Sequence, residues 1–316
     1  MSAVTVEPGA VEPEPEPEPG PGPESGGARI VDRGYRRYEG RRTGTFGAFR
    51  ALVAHSMQRA LGLRRPATQK ILPAIAVFIA YVPAIVFVGL SVLIKDTLLA
   101  NSNLVPTYGD YYSFISAAIV VFSAFVAPEL LCTDRRTGML GLYLASPLTR
   151  NSYLAAKAVS VVGLLALVTL GPPLLMLIAF TLIGQGPDGP AALLNLFGEV
   201  LIGGAVVALL QASLSLAVSS TTTRKAAASA GVILILLASA AISDALVKGA
   251  DAAPELFCLN LLQLPFELVR RIFGELSPDP TIASIPNSTL ISAYVGWTLL
   301  FAGFTWLRYR RVSVDR

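Results

Sequence analysis

Two long runs without a formal charge constrain the fold of this chain more than any other feature of its sequence. No charged residue lies between Lys157 and Asp188, a stretch of 30 residues, and Ile71 to Ile94 adds another 24. About 20 residues of α-helix suffice to cross the roughly 30 Å hydrocarbon core of a bilayer. The chain is also 53% hydrophobic and only 15% charged, which is more apolar than a single soluble core requires. The sequence therefore predicts an all-α integral membrane protein.

Six segments qualify as transmembrane helices. They are residues 71–94, 111–131, 154–183, 195–220, 226–247 and 289–307. The third is over-long and contains Gly171, Pro172 and Pro173, so we expect one kinked crossing there rather than two crossings. Only a tight hairpin separates the fourth segment from the fifth. An even number of crossings places both termini on the same side of the membrane.

Lys and Arg are distributed unequally between the two sides of this map. One side holds 21 of the 25, and the other holds only Lys95, Lys248, Arg270 and Arg271. Basic residues concentrate on the cytoplasmic side of membrane proteins. We therefore expect a multi-pass protein of the plasma membrane, such as a bacterial inner membrane, with both termini in the cytoplasm.

The segments before the first span differ sharply in charge. Residues 1–27 are rich in Pro, Glu and Gly and predict a disordered tail. Residues 28–70 contain eleven Lys or Arg and end in a stretch of helical period from Thr45 to Gly62, whose polar side carries His55, Gln58 and Arg59. This pattern predicts an amphipathic helix lying on the membrane, with its arginines on anionic membrane lipid. Nucleic acid is the less favoured partner for this basic block, because no aromatic platform or zinc spacing accompanies it.

Two segments complete the division into parts. The six spans form a transmembrane domain over residues 71–307, and residues 308–316 form a basic cytoplasmic tail. Within the domain, residues 248–288 are amphipathic and too interrupted by charge to span the bilayer. We expect helices there that lie in or dip into the outer leaflet before the last span.

The sequence offers no catalytic centre. Phosphate-binding loops, zinc-protease motifs and paired-cysteine zinc patterns are absent, and the single histidine, His55, rules out a multi-histidine metal site. We therefore expect no enzyme activity, no metal and no cofactor in this chain. Glu199 and Asp244 lie near the predicted outer ends of their helices. Either they reach the outer headgroups, or they line an outward vestibule.

The loop between the second and third spans, residues 129–157, is the most informative stretch of the chain. It combines an acidic residue at the inner end of a span, an acid followed by a basic pair, a glycine, a leucine-rich turn, Ser-Pro-Leu and a later lysine. A short apolar helix exposed to the cytoplasm, with Leu142 and Leu144 among its residues, is expected only where a partner covers it. The loop is therefore predicted to be a docking surface.

This order of residues resembles the corresponding loop of type-2 ATP-binding-cassette (ABC) exporter permeases, where it forms a coupling helix that sits in a groove of the ATPase subunit. The resemblance extends over about residues 45–310. The residues that carry it, or that the resemblance assigns to ATPase coupling, are Glu129, Asp134, Arg135, Arg136, Gly138, Leu142, Leu144, Pro147, Leu148 and Lys157. The acidic, proline-rich tail is no part of that family's pattern.

The resemblance implies the permease subunit of an ATP-driven exporter. Its partners would be a separate ABC ATPase subunit, which would bind the ATP and Mg, and a second permease copy or a paralogue. Glu129 and Arg135 would hold the loop to its flanking helices. Two alternatives stay open: an ATP-independent channel or carrier, and a membrane scaffold that transports nothing. The substrate stays open as well.

Overall fold

A computed structural model of the chain describes residues 44–63, 70–94, 105–250 and 252–310. These residues contain α-helices and no strand. The helices are α1 (Gly44–Ala60), α2 (Ile71–Ile94), α3 (Tyr108–Phe114), α4 (Ser116–Arg136), α5 (Met139–Leu144), α6 (Arg150–Thr169), α7 (Gly171–Leu182), α8 (Gly189–Thr221), α9 (Lys225–Asp244), α10 (Leu264–Ile272), α11 (Pro280–Ala283) and α12 (Asn287–Arg310). A π-helical turn (Ala245–Gly249) extends α9, and a 3-10 helix (Pro254–Leu259) precedes α10. The predicted tail over residues 1–27 and residues 311–316 lie outside the described part.

Six helical segments in the described residues are long and apolar enough to cross a membrane, which confirms the predicted fold class. They are Pro73–Ile94, Ser116–Arg136, Arg150–Leu182, Gly189–Thr221, Lys225–Gly249 and Asn287–Arg310. The second begins later than predicted because the chain turns at Ile115, so that α3 is a separate short helix. The protein is thus a multi-pass membrane protein.

The third span breaks at Leu170 as the prolines predict. Pro172 and Pro173 lie in the first turn of α7, where a missing backbone N–H is tolerated. Pro173 nevertheless leaves the carbonyl of Thr169 without its usual helical donor. The hydroxyl of buried Tyr112 donates to that carbonyl over 2.9 Å, so the break is stabilised by a neighbouring helix. The prediction of one kinked crossing is confirmed.

Polar contacts between helices concentrate at the two ends of the bundle. The Asp134 end is where α1 and α4 end, α6 begins and α8 turns into α9. The Arg270 end is where α3 lies, α10 ends and α12 begins. Between them α4, α6 and α8 pack in the centre, with α9 against α4 and α12 against α8.

Helix α1 packs along α6 instead of standing apart from the bundle. Its buried residues are Leu52, Ser56 and Ala60, and Phe46 is exposed. The prediction of a helix over Thr45 to Gly62 is confirmed, but its assignment of Arg59 to the polar outer side is wrong. The side chain of Arg59 is only 11% exposed, because a buried carboxylate on α4 attracts it into the bundle.

The segment before the last span is compactly folded. In α10, every residue from Leu264 to Val269 is buried, and the helix packs against α3, α8 and α12. At its end Arg270 pairs with Asp110, with Nη2 and Oδ1 3.0 Å apart. This segment does not span, in agreement with the sequence, and it enters the bundle between the spans.

Candidate functional site

The carboxylate of Asp134 is the centre of an ion network at the Asp134 end. The residue lies in the last turn of α4 and is completely buried. Its Oδ1 lies 2.6 Å from Nη1 of Arg59 on α1, and its Oδ2 lies 2.7 Å from Nζ of Lys157 on α6. The hydroxyl of Tyr153 donates to Oδ2 over 3.0 Å. A charge this deeply buried is stable only when it is paired and hydrogen-bonded, and Asp134 has three such contacts.

Lys157 is buried as completely as its partner. Its Nζ also donates to the hydroxyl of Ser56 on α1 over 2.9 Å. It lies 5.5 Å from the ring centre of Tyr143 and 5.6 Å from that of Tyr153, within the range of cation–π attraction. One ammonium group therefore connects α1, the α4–α6 loop and α6.

A second, more exposed set of charges lies one turn away. The carboxylate of Glu129 pairs with the ammonium group of Lys225 at the start of α9. Its other oxygen lies 3.9 Å from Nε of Arg59, which is close enough for charge attraction and too long for a hydrogen bond. Arg59 thus lies between the two carboxylates, and the network extends from α1 to α9.

Arg135 contacts the end of α8 through hydrogen bonds. Its Nη1 donates to the carbonyl of Ser220 over 2.6 Å and to that of Thr222 over 3.4 Å. Carbonyls at a helix C-terminus lack helical donors and carry partial negative charge, so a guanidinium group fits there. Glu129 and Arg135 therefore hold α4 to the α8–α9 hairpin, and Asp134 and Lys157 hold it to α1 and α6. The neighbouring Arg136 is exposed.

The predicted coupling segment begins with a left-handed residue. Gly138 has φ +67° and directly precedes α5, a conformation that glycine adopts without steric cost. In α5 the side chain of Leu142 is 64% exposed, whereas Tyr143 is half-buried with its ring 5.7 Å from that of Tyr153. Burial, followed by the negative charge of Asp134, raises the pKa of the Tyr143 hydroxyl. The loop thus presents one leucine outward and fixes one tyrosine inward.

In the rest of the coupling segment, too, some side chains are exposed and others are buried. Pro147 is exposed and Leu148 is buried, so only the first of these two can meet a partner. The side chain of Leu144 lies outside the described part of the structure. Thr149 and Ser152 form a reciprocal capping box at the start of α6, which fixes where the loop ends.

A cavity of about 580 Å³ lies beside the network, between α1, α2, α4 and α9. Four ionisable side chains line it: Arg59, Glu129, Arg136 and Lys225. The remaining wall is mostly apolar and comes from α2 and α4. This volume is in the range of small-molecule sites in proteins.

Glu199 and Asp244 do not form one site. Glu199 accepts a hydrogen bond from Asn195, one turn earlier on α8, over 2.7 Å. Asp244 lies 3.6 Å from Nζ of Lys248 and lines a polar cleft of about 270 Å³ at the Arg270 end. Glu199 is not among the residues lining that cleft. The structure therefore places Asp244 at this cleft and does not bring Glu199 to it.

The sequence did not identify four residues of the network as site residues: Arg59, Ser56, Tyr153 and Lys225. The helical wheel assigned Arg59 by its charge alone, and a charge does not reveal a buried partner on another helix. The sequence contained a signal only for the ion pair at the centre of the network, Lys157 and Asp134, and none for these four residues. Lys157 stands at the edge of a 30-residue uncharged run, and a lysine at that depth requires a carboxylate nearby. Asp134 was the candidate one loop away.

No protein-family model matches the sequence, and no curated protein matches it.

Proposed function

We propose that this chain is the membrane-spanning permease subunit of an ATP-driven ABC exporter. A separate ATPase subunit would hydrolyse the ATP, and two permease copies, or one copy and a paralogue, would enclose the transport pathway. The observation that carries the proposal is the α4–α6 loop. It carries an exposed leucine, Leu142, and its next residue, Tyr143, contacts a buried ion network that connects four helices.

The proposed orientation places the Asp134 end in the cytoplasm of a plasma-membrane protein. Support comes from the charge distribution, since 21 of the 25 Lys and Arg belong to the side of the map that includes this end. Both termini would then be cytoplasmic. The exposed loop would face the compartment that contains ATP.

The network offers a mechanical route from α5 into the membrane. A push on α5 would act on α4 through Gly138 and on α6 through the capped turn at Thr149. Asp134 pairs with α1 and α6, so these helices would move together with α4 instead of sliding past it. Nucleotide-driven movement of the partner would thereby change the opening of the pathway, provided that the open and closed states bind substrate differently.

The exposed leucine supports a partner more than a chain that works alone. Leu142 is 64% exposed on a helix of six residues. An apolar side chain exposed in a loop outside the membrane is removed from water when a partner docks on it. An ATP-independent channel would have no use for it.

Affinity purification in mild detergent tests the proposal. The tagged full chain is extracted from its native membrane, and ATPase activity is measured in the eluate. The wild-type chain is expected to retain an ATPase that Leu142→Asp loses by at least about tenfold, because a buried charge at an interface costs several kcal/mol.

The matched control is Leu276→Asp. Leu276 is 84% exposed and lies near the Arg270 end, so the same chemical change there should leave the ATPase bound. Equal loss in both variants would show general damage and would not support the docking loop. A wild-type chain that elutes without any ATPase would exclude the proposed function.

A further inference from the structure

The cavity beside the ion network is elongated and changes in polarity along its length. Its lining on α4 runs from Val121 to Thr137, which corresponds to about 24 Å of helix at 1.5 Å per residue. The ionisable residues lie in one half of this stretch, from Glu129 onward. At the other end the α4 wall consists of Val121, Phe122, Phe125 and Val126.

The polar end of the cavity has more cationic than anionic groups. Arg59, Arg136 and Lys225 line it together with a single carboxylate, that of Glu129. Counting the carboxylate of Asp134, which pairs with Arg59, leaves this excess of positive charge unchanged. Lys157 pairs with the same carboxylate and adds one positive charge of its own. Two positive charges in excess at neutral pH favour an anion.

Hydrogen-bonding capacity at this end is also unused. Nε and Nη2 of Arg59 and Oγ1 of Thr133 are buried and make no hydrogen bond within the described residues. Thr133 is 7% exposed, and both residues line the cavity. Buried donors without acceptors are costly, but each of these atoms has less than 1 Å² of accessible surface, so the Arg59 and Thr133 side chains would have to turn towards the cavity before a bound oxyanion could accept from them. Guanidinium groups suit phosphate and carboxylate particularly well.

The apolar end opens towards the surface of the bundle. Phe125 is 39% exposed while the adjacent wall residue Phe122 is buried. Because α2 and α4 are both membrane spans, this opening lies where hydrocarbon chains would be found. A small hydrophilic anion would leave it unfilled.

We propose that the cavity binds an anionic amphiphile. A phosphate- or carboxylate-bearing headgroup would lie against Arg59, Arg136 and Lys225, and a hydrocarbon chain would lie along Val121 and Phe125. This inference goes beyond the proposed function, since binding requires neither an ATPase nor transport. The ligand could be a phospholipid of the surrounding bilayer or an amphiphile that the protein moves, because both have the same chemistry.

Lipid binding to the purified full chain tests the assignment. The chain is titrated in detergent with dioctanoyl phosphatidylglycerol, with dioctanoyl phosphatidylcholine and with inorganic phosphate, and bound molecules are counted by native mass spectrometry. Phosphatidylglycerol is expected to bind in a ratio of one per chain and at least about tenfold more tightly than phosphatidylcholine, as charge-assisted hydrogen bonds predict. Equal binding of the two lipids would overturn the proposal.

Two variants test the two ends of the site. Arg136→Gln removes one cation from an exposed position and should weaken phosphatidylglycerol binding about fivefold. Its control is Arg150→Gln, an exposed arginine at the same end of the bundle that is not among the residues lining the cavity. Val121→Trp fills the apolar end and should abolish binding of both lipids. An equal effect of Arg136→Gln and Arg150→Gln would refute a specific headgroup site.

Inorganic phosphate and the native ligand complete the test. Competition by phosphate as strong as that by phosphatidylglycerol would contradict an amphiphile site. Lipid that the chain retains from its native membrane is then identified by mass spectrometry. A bulk phospholipid assigns the ligand to the bilayer, and an amphiphile enriched over the membrane composition assigns a cargo. Loss of the ATPase in the pull-down would leave these binding results unchanged, so the two proposals fail separately.

Discussion

Removing the carboxylate of Asp134 should destabilise the fold more than removing the ammonium group of Lys157, although the two groups form one ion pair. Both side chains are at most 1% exposed, and Nζ lies 2.7 Å from Oδ2. Asp134→Asn leaves Lys157 with the hydroxyl of Ser56 as its remaining good acceptor. Lys157→Met leaves the carboxylate with Arg59 and Tyr153. Asp134→Asn should therefore cost more than Lys157→Met, because the charge that it leaves in the bundle has fewer remaining partners.

The magnitudes follow from the cost of an uncompensated buried charge, about 3–5 kcal/mol when one partner of a buried pair is removed. We expect about 4–5 kcal/mol for Asp134→Asn, at the upper end of that range. For Lys157→Met we expect about 2–3 kcal/mol, because a second cation remains. The double variant removes both charges, so its cost should be smaller than the sum by about 1–3 kcal/mol.

The assay is equilibrium unfolding of the purified full chain in mixed micelles, with helix content followed by circular dichroism. Asp188→Asn is the control, since Asp188 is exposed and makes no side-chain capping bond at the start of α8. Additive effects of the two network substitutions would refute the reasoning, as would a loss in Asp188→Asn equal to that in Asp134→Asn. Additivity would mean that the pair is not energetically coupled, and an equal loss in the control would mean that the burial of Asp134 does not determine the cost.

Three further substitutions test the packing and the Arg270 end. Gly204→Ala should cost about 1–3 kcal/mol, because a Cβ there would overlap the side chain of Leu170. A Cβ at Gly198, on the same helix, meets nothing within 4 Å, so Gly198→Ala is the control and should have the higher unfolding midpoint. Tyr112→Phe should cost about 1 kcal/mol in the same assay through the lost bond at the helix break. Burial raises the pKa of Glu275, so the folded state takes up a proton more readily than the unfolded one. The thermal stability of the wild type relative to Glu275→Gln should therefore rise as the pH falls from 7 towards the ordinary glutamate value, and a pH-independent difference would contradict this.

The α4–α6 loop shows which features could be predicted from the sequence and which could not. Its order of acid, basic pair, glycine and leucine-rich turn was sufficient to predict a short helix between two spans, and α5 lies there. Leu142 is exposed and Leu148 is buried. Because both are leucines, residue type alone could not predict this difference. Apolar residues of one short loop acquire different surroundings only when the flanking helices are in place.

The sequence by itself determined the number of spans, the break at the two prolines, the hairpin between α8 and α9 and the failure of the α10 segment to cross. These features depend on local properties: the length of an uncharged run, the missing N–H of proline and the presence of charge within an apolar segment. Only the tertiary structure decided that Arg59 faces inward, that Lys157 shares Asp134 with it, and that an elongated cavity lies beside them. The two contacts with Asp134 join residues 23 and 75 positions apart along the printed chain, and a buried charge reveals its partner only when the helices that carry both have packed together.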